Sequence, residues 1–190
     1  MQNYLLIYSH PNPKSFNHSI KEKIASVLRS KGKNVEVRDL YVLGFDPVLS
    51  AGDFSQFADG KTPPDIAKEQ EYIKKADALI FIYPVWWFGL PSILKGYIDR
   101  VFSKGFAYDY AGKMPRGLLV GKKVMVFSTT GGPKITYFLG GYKSALDKTI
   151  TSGIFKFCGM DVIFHKFFYA VPIITEKKRK LMLDSIENLI

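Results

Sequence analysis

Apolar and amphipathic segments alternate along most of the chain. Five short apolar runs have the length and composition of strands, and they cover residues 4–8, 35–40, 78–83, 123–128 and 161–169. Helical spacing of apolar residues is found between them, at about residues 16–31, 63–75 and 91–102, after Gly141, and near residue 180. Residues 42–62 lack sustained periodicity and are predicted to form a long loop over the sheet edge. This alternation predicts an α/β protein.

The order of these elements favours one arrangement of the sheet. A first strand near the middle of five parallel strands is typical of a flavodoxin-like, three-layer α/β fold with strand order 2-1-3-4-5. A chain of 190 residues without an internal repeat or an interdomain linker is most simply one domain over residues 1–190. The sequence therefore predicts a single flavodoxin-like domain.

Three of the predicted strands run into loops rich in Ser, Thr, Gly, Pro and aromatic residues. These loops are residues 9–17, 84–89 and 129–132. In an open parallel sheet the ligand crevice lies at the carboxyl ends of the strands, so we expect the loops to converge. The first offers hydroxyls and a helix N-terminus to a phosphate, the second offers a flat aromatic surface, and the third offers unhindered backbone. A flavin has the charged tail and the aromatic head that such loops suit.

The first loop contains the candidate phosphate site. No GxGxxG motif follows the first strand, which counts against a dinucleotide held in the Rossmann manner. Ser15 and the backbone amides of Phe16 and Asn17 are predicted to bind a flavin phosphate at the start of a helix, with His10 as a further donor. The alternatives are that Ser15 only caps the helix and that His10 is solvated.

Composition and charge narrow the functional classes. The formal net charge of +10 raises the possibility of nucleic-acid binding, but the 27 basic residues are scattered, and the densest run, residues 177–180, fits a solvated helix face. No nucleic-acid-binding motif accompanies the charge, so no nucleic-acid partner is expected. Cys158 is the only cysteine, which excludes an intrachain disulfide and a multi-cysteine metal site, and it is predicted to be a packing residue.

Hydropathy and the first residues predict the compartment. No apolar run approaches the roughly 18 to 20 residues needed to span a membrane. The first residues lack the basic region and the cleavage site of a signal peptide. A soluble protein of the cytoplasm is therefore expected.

Several motifs resemble those of a known family. They are SFN at 15–17, FDPVLSAGDF at 45–54, ADALIFIYPVWWFGLPSILKGYIDRVF at 76–102, FAYDYAGKM at 106–114, STTGG at 128–132 and FCGM at 157–160. Over about the first 170 residues the chain resembles the NAD(P)H:quinone oxidoreductases of the DT-diaphorase type. Its length is that of the short bacterial members, which include proteins that assist potassium-efflux systems.

This resemblance implies a homodimeric enzyme with a flavin at the subunit interface, reduced by NAD(P)H and reoxidised by a quinone or a similar planar acceptor. It also implies ping-pong kinetics, because both substrates would use one pocket. The positions that match the family's flavin contacts are His10, Ser15, Phe16, Asn17, Pro84, Val85, Trp86, Trp87, Phe88, Thr129, Thr130, Gly131 and Gly132. Tyr108 and Tyr110 match tyrosines that cover the substrate pocket across the interface.

The resemblance leaves the choice of flavin open. Gln56 and Asp99 match positions that reach an adenylate group from the partner subunit, which favours FAD, whereas the small size of the chain suits FMN.

Two further positions concern catalysis. Tyr137 matches the family tyrosine near the N1 and O2 edge of the flavin, and Lys143 stands where many members have a histidine. Both are predicted to stabilise negative charge that develops at that edge. The alternative for Lys143 is an exposed position on a helix.

Two other functional classes remain open. A flavodoxin-type electron carrier would share the sheet and the cofactor, although its surface is usually acidic and this chain is basic. A flavin-binding regulatory subunit of a membrane transporter, such as a potassium-efflux system, would use the same fold as a sensor.

Overall fold

The computed structural model describes residues 1–190, which form seven strands. They are β1 (Asn3–Tyr8), β2 (Asn34–Asp39), β3 (Ala78–Pro84), β4 (Tyr108–Ala111), β5 (Met114–Gly117), β6 (Lys123–Thr129) and β7 (Asp161–Phe168). Five of them form a parallel sheet in the order β2-β1-β3-β6-β7. Because β6 and β7 are the fourth and fifth strands of this sheet, the predicted order 2-1-3-4-5 is confirmed.

Helices cover both faces of the sheet. They are α1 (Phe16–Ser30), α2 (Ala51–Ala58), α3 (Pro64–Lys75), α4 (Ser92–Val101), α5 (Lys134–Leu139), α6 (Tyr142–Asp147) and α7 (Glu176–Asp184), with a π-helix at Lys148–Lys156 and a 3₁₀ turn at Ser185–Asn188. None of these helices has both the length and the apolar character needed to cross a membrane.

The central strands divide the interior into two cores. Successive side chains of a strand point to opposite faces, so Leu5 and Ile7 of β1 pack with α3 and α4, whereas Leu6 and Tyr8 pack with α1. β3 is buried along its whole length, as expected for a parallel strand covered on both faces. This packing produces the predicted three layers.

The first helix begins and ends where the sequence predicts. The hydroxyl of Ser15 accepts a hydrogen bond from the His18 amide at 3.1 Å and caps the helix. Gly32 follows the helix with φ +71°, and the next amide, that of Lys33, returns to the carbonyl of Leu28 at 3.0 Å. This left-handed turn is the reason for a glycine at that position.

The prediction that residues 42–62 form a loop is wrong for α2. Ser50 and Asp53 form a capping box, in which each side chain accepts from the other residue's amide. The guanidinium of Arg100 on α4 then binds Asp53 at 3.0 Å and Asp65 at 2.7 Å. Two turns of helix are too short for a clear period, and the distant Arg100 holds them in place.

Two other local features were not predicted. β4 and β5 form a hairpin with Gly112 at φ +65° in its turn, and the backbone of Gly117 packs tightly against that of Cys158. The helix expected after Gly141 is α6, which continues into the π-helix and is preceded by the unpredicted α5. Cys158 is 3% exposed and burial raises its pKa to about 11, which supports the predicted packing role.

Candidate functional site

The three candidate loops meet at the carboxyl edge of the sheet, because β1, β3 and β6 are neighbours there. The amide group of Asn17 donates to the Thr129 hydroxyl at 2.8 Å, and the backbone amide of Val85 donates to the Thr129 carbonyl at 2.8 Å. The rings of His10 and Trp86 lie 5.8 Å apart. The predicted convergence of the loops is thus confirmed.

The first loop presents donors at the start of α1. The amides of Phe16 and Asn17 occupy the first helical positions, where no intrahelical acceptor exists. Asn17 is 3% exposed, and its side-chain oxygen has no hydrogen-bond partner. The buried hydroxyl of Ser9 lacks a partner as well. Buried polar atoms without partners are unusual, and both of these lie at this corner of the sheet edge.

His10 lies beside these donors. Its Nδ1 accepts a hydrogen bond from the Asn12 amide at 3.0 Å, so the proton of the neutral ring lies on Nε2. Burial lowers the pKa of His10 and thereby favours this neutral form. The ring therefore has one N–H group for a neighbouring acceptor.

The second loop makes a tight turn that displays aromatic rings. Trp86 and Gly89 exchange backbone hydrogen bonds, and Trp87 and Phe88 between them have φ values of +48° and +54°. Such φ values are strained for residues other than glycine. Trp86, Trp87 and Phe88 are 40%, 96% and 47% exposed, so the turn presents flat apolar surface to the solvent.

The third loop leaves backbone accessible. A Cβ atom at Gly131 would meet no heavy atom within 4 Å, so open space faces this residue. The loop itself is held firmly: Thr130 is 2% exposed, its hydroxyl donates to the Gly132 carbonyl at 2.9 Å, and that carbonyl also accepts from Ala170 at 2.9 Å. A planar group could approach such a rigid, bare segment closely.

An aromatic corner closes the site on the side of α5. Tyr137 is 6% exposed, and its ring lies 5.6 Å from Phe88 and 5.8 Å from Tyr169. Tyr142 stacks on Phe88 at 4.0 Å. Burial raises the pKa of Tyr137, which keeps its hydroxyl protonated as a donor.

Lys143 is half-buried one helix away from Tyr137. Its ammonium group lies 2.7 Å from Oδ2 of Asp147, and this hydrogen bond raises the pKa of Lys143. Asp147 in turn contacts His165, and His165 contacts Ser128. Sequence reasoning missed these last three residues, because they are far apart in the chain and no motif links them.

Two pairs of predicted site residues lie on other elements of the chain. Tyr108 and Tyr110 share the β4–β5 hairpin with rings 6.0 Å apart, and Tyr108 packs on Phe157. Gln56 lies on α2, and Asp99 on α4 pairs with Lys95 of the same helix. Pro84 ends β3 and is buried. The fold thus brings the three loops, Tyr137 and Lys143 to one region. The pair on the β4–β5 hairpin and the pair on α2 and α4 are not part of it.

The donor set and the shape of this edge fit a flavin. The start of α1 supplies backbone N–H donors for an anionic group. The exposed rings of the second loop and the bare backbone at Gly131 suit a planar ring system. A site with only one of these parts would suit a simpler ligand.

Comparisons with known proteins agree with this assignment. The family model described as flavodoxin-like fold matches residues 2–189. An uncharacterized NAD(P)H oxidoreductase of Haemophilus influenzae is 37% identical over 183 residues, which cover 96% of this chain and 91% of that protein. NAD(P)H dehydrogenase (quinone) 1 of Cavia porcellus is 36% identical over 187 residues, covering 88% of this chain and 68% of that protein.

A solved structure extends the comparison to three dimensions. The NAD(P)H:quinone oxidoreductase from Methanothermobacter marburgensis matches with a TM-score of 0.88 at 27% identity, covering 98% of this chain and 96% of that one. The match spans the sheet, its helices and the three loops. The chain therefore belongs to the flavodoxin-like family of NAD(P)H:quinone oxidoreductases, the family that its motifs resemble.

Proposed function

We propose that this protein is a flavin-dependent NAD(P)H:quinone oxidoreductase and acts as one flavin-binding domain over residues 1–190. The observation that carries this proposal is the carboxyl edge of the sheet, where an exposed aromatic turn lies beside a helix N-terminus with backbone N–H groups that have no intrahelical acceptor. The names of the similar proteins point to the same donor and acceptor.

The first loop is proposed to hold the phosphate end of the flavin. The amides of Phe16 and Asn17 and the hydroxyl of Ser15 are the donors, and the dipole of α1 adds a partial positive charge. Nε2 of His10 supplies a further N–H group. The cap made by Ser15 is compatible with this role, because its oxygen accepts from His18 and its own proton can be donated either to the Tyr8 hydroxyl, 3.4 Å away, or to a phosphate.

The other two loops are proposed to hold the ring system. The residues concerned are Pro84, Val85, Trp86, Trp87, Phe88, Thr129, Thr130, Gly131 and Gly132. FAD is the proposed cofactor because Gln56 and Asp99 match adenylate positions, and FMN is the alternative because it would use the three loops alone.

A flavin held by the three loops would supply the redox chemistry, taking a hydride equivalent from NAD(P)H and delivering two electrons to a quinone. Tyr137 contributes a neutral hydroxyl donor, held in place by the rings of Phe88 and Tyr169. Lys143 contributes a positive charge, since its pairing with Asp147 keeps the amine protonated. Donors already in place where negative charge develops lower the barrier without reorganisation.

A homodimer is proposed to complete the pocket. Large apolar side chains around the site are exposed in the single chain, among them Trp87, Phe138 and Leu139. Contact with a second copy would bury them, and would bring that copy's β4–β5 hairpin, with Tyr108 and Tyr110, over the substrate. The cytoplasm stays the predicted compartment.

The test is the visible spectrum of the purified protein, loaded with FAD or FMN and then mixed with NADPH or NADH without oxygen. We expect the flavin bands to bleach and to return when a quinone is added. Parallel lines in double-reciprocal plots are expected for a shared pocket, whereas intersecting lines would argue against it. If flavin binds but neither nucleotide bleaches it, an electron carrier or a transporter-bound sensor is favoured; if no flavin binds, the proposal is wrong.

A further inference from the structure

A chain of polar side chains runs inward from Lys143, and its inner members have no part in the function proposed above. One oxygen of Asp147, Oδ2, binds the Lys143 ammonium group at 2.7 Å, and the other, Oδ1, lies 2.8 Å from Nδ1 of His165. Nε2 of His165 lies 2.9 Å from the hydroxyl of Ser128. Helix α6 is thereby joined to β7 and β6.

The burial of these polar side chains has to be explained. The side chain of His165 is 2% exposed and Ser128 is fully buried. Transfer of polar groups from water into a core is unfavourable unless hydrogen bonds compensate for it. Val126 and Phe167, the neighbours on the same face, are apolar, so hydrophobic side chains are accommodated there. Packing alone therefore does not account for a histidine at this position.

The protons can be assigned from the chemistry of the partners. A carboxylate only accepts, so the neutral His165 ring has its proton on Nδ1, and Nε2 accepts from Ser128. Burial lowers the pKa of His165 to about 4, which keeps the ring neutral near neutral pH. The N–H group of Nδ1 and Oδ1 of Asp147 are close but poorly aligned, so this link is a contact between the dipole of the neutral ring and the carboxylate charge.

The same three residue types form the nucleophile system of many hydrolases. Here the serine cannot act as a nucleophile, because Ser128 is fully buried and no substrate carbonyl can reach its hydroxyl. The member of this chain of contacts that reaches the candidate site is Lys143, at the other end from Ser128.

That exposed end lies at the aromatic corner of the site. The rings of His165, Phe167 and Tyr169 stack along one face of β7, with centroids 3.9 and 5.8 Å apart. The Lys143 ammonium lies 5.6 Å from the ring centre of Phe167, and Tyr169 lies 5.8 Å from Tyr137. Asp147 thus holds a positive charge over a stack of rings that ends at Tyr137.

We propose that Asp147 and His165 are positioning residues for Lys143: the carboxylate holds the ammonium group beside the Tyr137 corner, and the buried histidine, bound to Ser128, holds the carboxylate. This inference rests on the proposed function. The titratable groups that face Lys143 are Asp147 on its own helix, His165 on β7 and Tyr169 directly after β7. Of these, Asp147 dominates, so its removal has a defined effect on Lys143.

Three variants test the inference. Asp147→Asn removes the charge and keeps the shape, and this partly exposed position should tolerate it. His165→Phe keeps the ring stack and removes both polar contacts. The control is Glu71→Gln, which removes the carboxylate from an exposed ion pair with Lys74 far from the site. Thermal unfolding of each variant confirms folding, and Asp147→Asn alone is decisive if His165→Phe does not fold.

The first measurement uses the flavin-free protein. The rate at which an amine-reactive acylating reagent modifies Lys143 is followed against pH by mass spectrometry. We expect the midpoint to move to lower pH in Asp147→Asn, because the carboxylate that raises the pKa of Lys143 is gone. The midpoint should not move in Glu71→Gln.

The second measurement is the rate at which NADPH bleaches the bound flavin. We expect Asp147→Asn and His165→Phe to be slower by on the order of 10-fold with unchanged flavin affinity, because a misplaced charge stabilises the reaction less. Asp147→Asn should add no further loss to Lys143→Ala, because the aspartate acts through the lysine.

The outcomes separate the two proposals. If the parent protein is bleached but both variants bleach at the parental rate, or if the acylation midpoint does not move, the positioning inference is wrong and the proposed function stands. If NADPH and NADH do not bleach the parent protein, the proposed function is wrong and the positioning role falls with it.

Discussion

Two regions of the protein differ in whether their buried polar groups have hydrogen-bond partners. In the anchored segment, residues 46–53, the guanidinium of Arg100 binds the Asp53 carboxylate at 3.0 Å and the Asp46 carbonyl at 2.9 Å. At the three-loop edge, by contrast, Ser9 and Asn17 keep buried polar atoms without partners. The first region pairs its buried charges within the chain, whereas the second, beside the proposed flavin site, does not pair all its buried polar atoms.

The anchored segment is also more tightly packed than the three-loop edge, and the strained backbone lies at the loop edge. A Cβ atom at Gly96, where α4 meets the anchored segment, would lie 2.1 Å from the carbonyl of Pro47, whereas one at Gly131 would meet nothing within 4 Å. Trp87 at the loop edge is 96% exposed and has φ +48°. Tight packing with paired polar groups stabilises a fold, whereas loosely packed segments and strained backbone are common at functional sites.

The largest effect is expected at the anchored segment. Gly96→Ala forces α4 and Pro47 apart, because backbone atoms cannot move as a flexible side chain would. We expect the free energy of unfolding to fall by about 3 kcal/mol, at the upper end of the usual overpacking penalty. Chemical denaturation measures it, and an unfolding midpoint equal to that of the parent would contradict the close contact.

The next effect concerns catalysis at the loop edge. Tyr137→Phe removes only the hydroxyl and keeps the ring that packs on Phe88 and Tyr169. We expect NADPH to bleach the flavin about 100-fold more slowly, as for the loss of one donor to developing charge. Stability should stay within about 0.5 kcal/mol of the parent. Stopped-flow absorbance checks the rate, and an unchanged rate would remove Tyr137 from the mechanism.

A third variant, at Gly131, is expected to weaken flavin binding and to leave stability unchanged. Gly131→Ala meets open space, so the protein should unfold at the parental denaturant concentration. The added methyl group would stand between the backbone and the bound ring, and we expect flavin affinity to fall by about 10-fold, or 1.4 kcal/mol. Fluorescence titration with FAD and FMN measures the affinity, and unchanged binding would show that the ring does not approach this loop.

The smallest effect concerns strain in the aromatic turn. Trp87→Gly and Trp87→Ala both remove an exposed ring, but only glycine relieves the left-handed backbone. We expect the glycine variant to be more stable than the alanine variant by about 1 kcal/mol, and both to bind flavin equally weakly. Equal stability of the two variants would mean that the turn relaxes without strain in solution.

The pattern of the sequence predicts the scaffold well because it depends on local regularities. Five apolar runs separated by amphipathic segments are enough to indicate the sheet and its order, since the three central strands are buried on both faces. The loop composition likewise predicts which strand ends meet. These features need no knowledge of particular contacts.

Other features depend on residues far apart in the chain. Helix α2 is held by Arg100, which lies 47 positions after Asp53, so the local pattern of residues 42–62 indicates only a loop. Tyr137 and Lys143 were found through family motifs, but the short helices around them have too few turns to show a period. The composition of the second loop does not predict the strained turn at Trp87, because aromatic residues rarely adopt its backbone angles.

The sequence alone determined the α/β class, the strand order, the three loops and the family, because apolar periodicity and short motifs are local properties of the chain. Only the tertiary structure decided which polar groups are satisfied. The unpaired oxygen of Asn17 and the contacts from Lys143 through Asp147 and His165 to Ser128 exist because folding removes water and brings distant elements together.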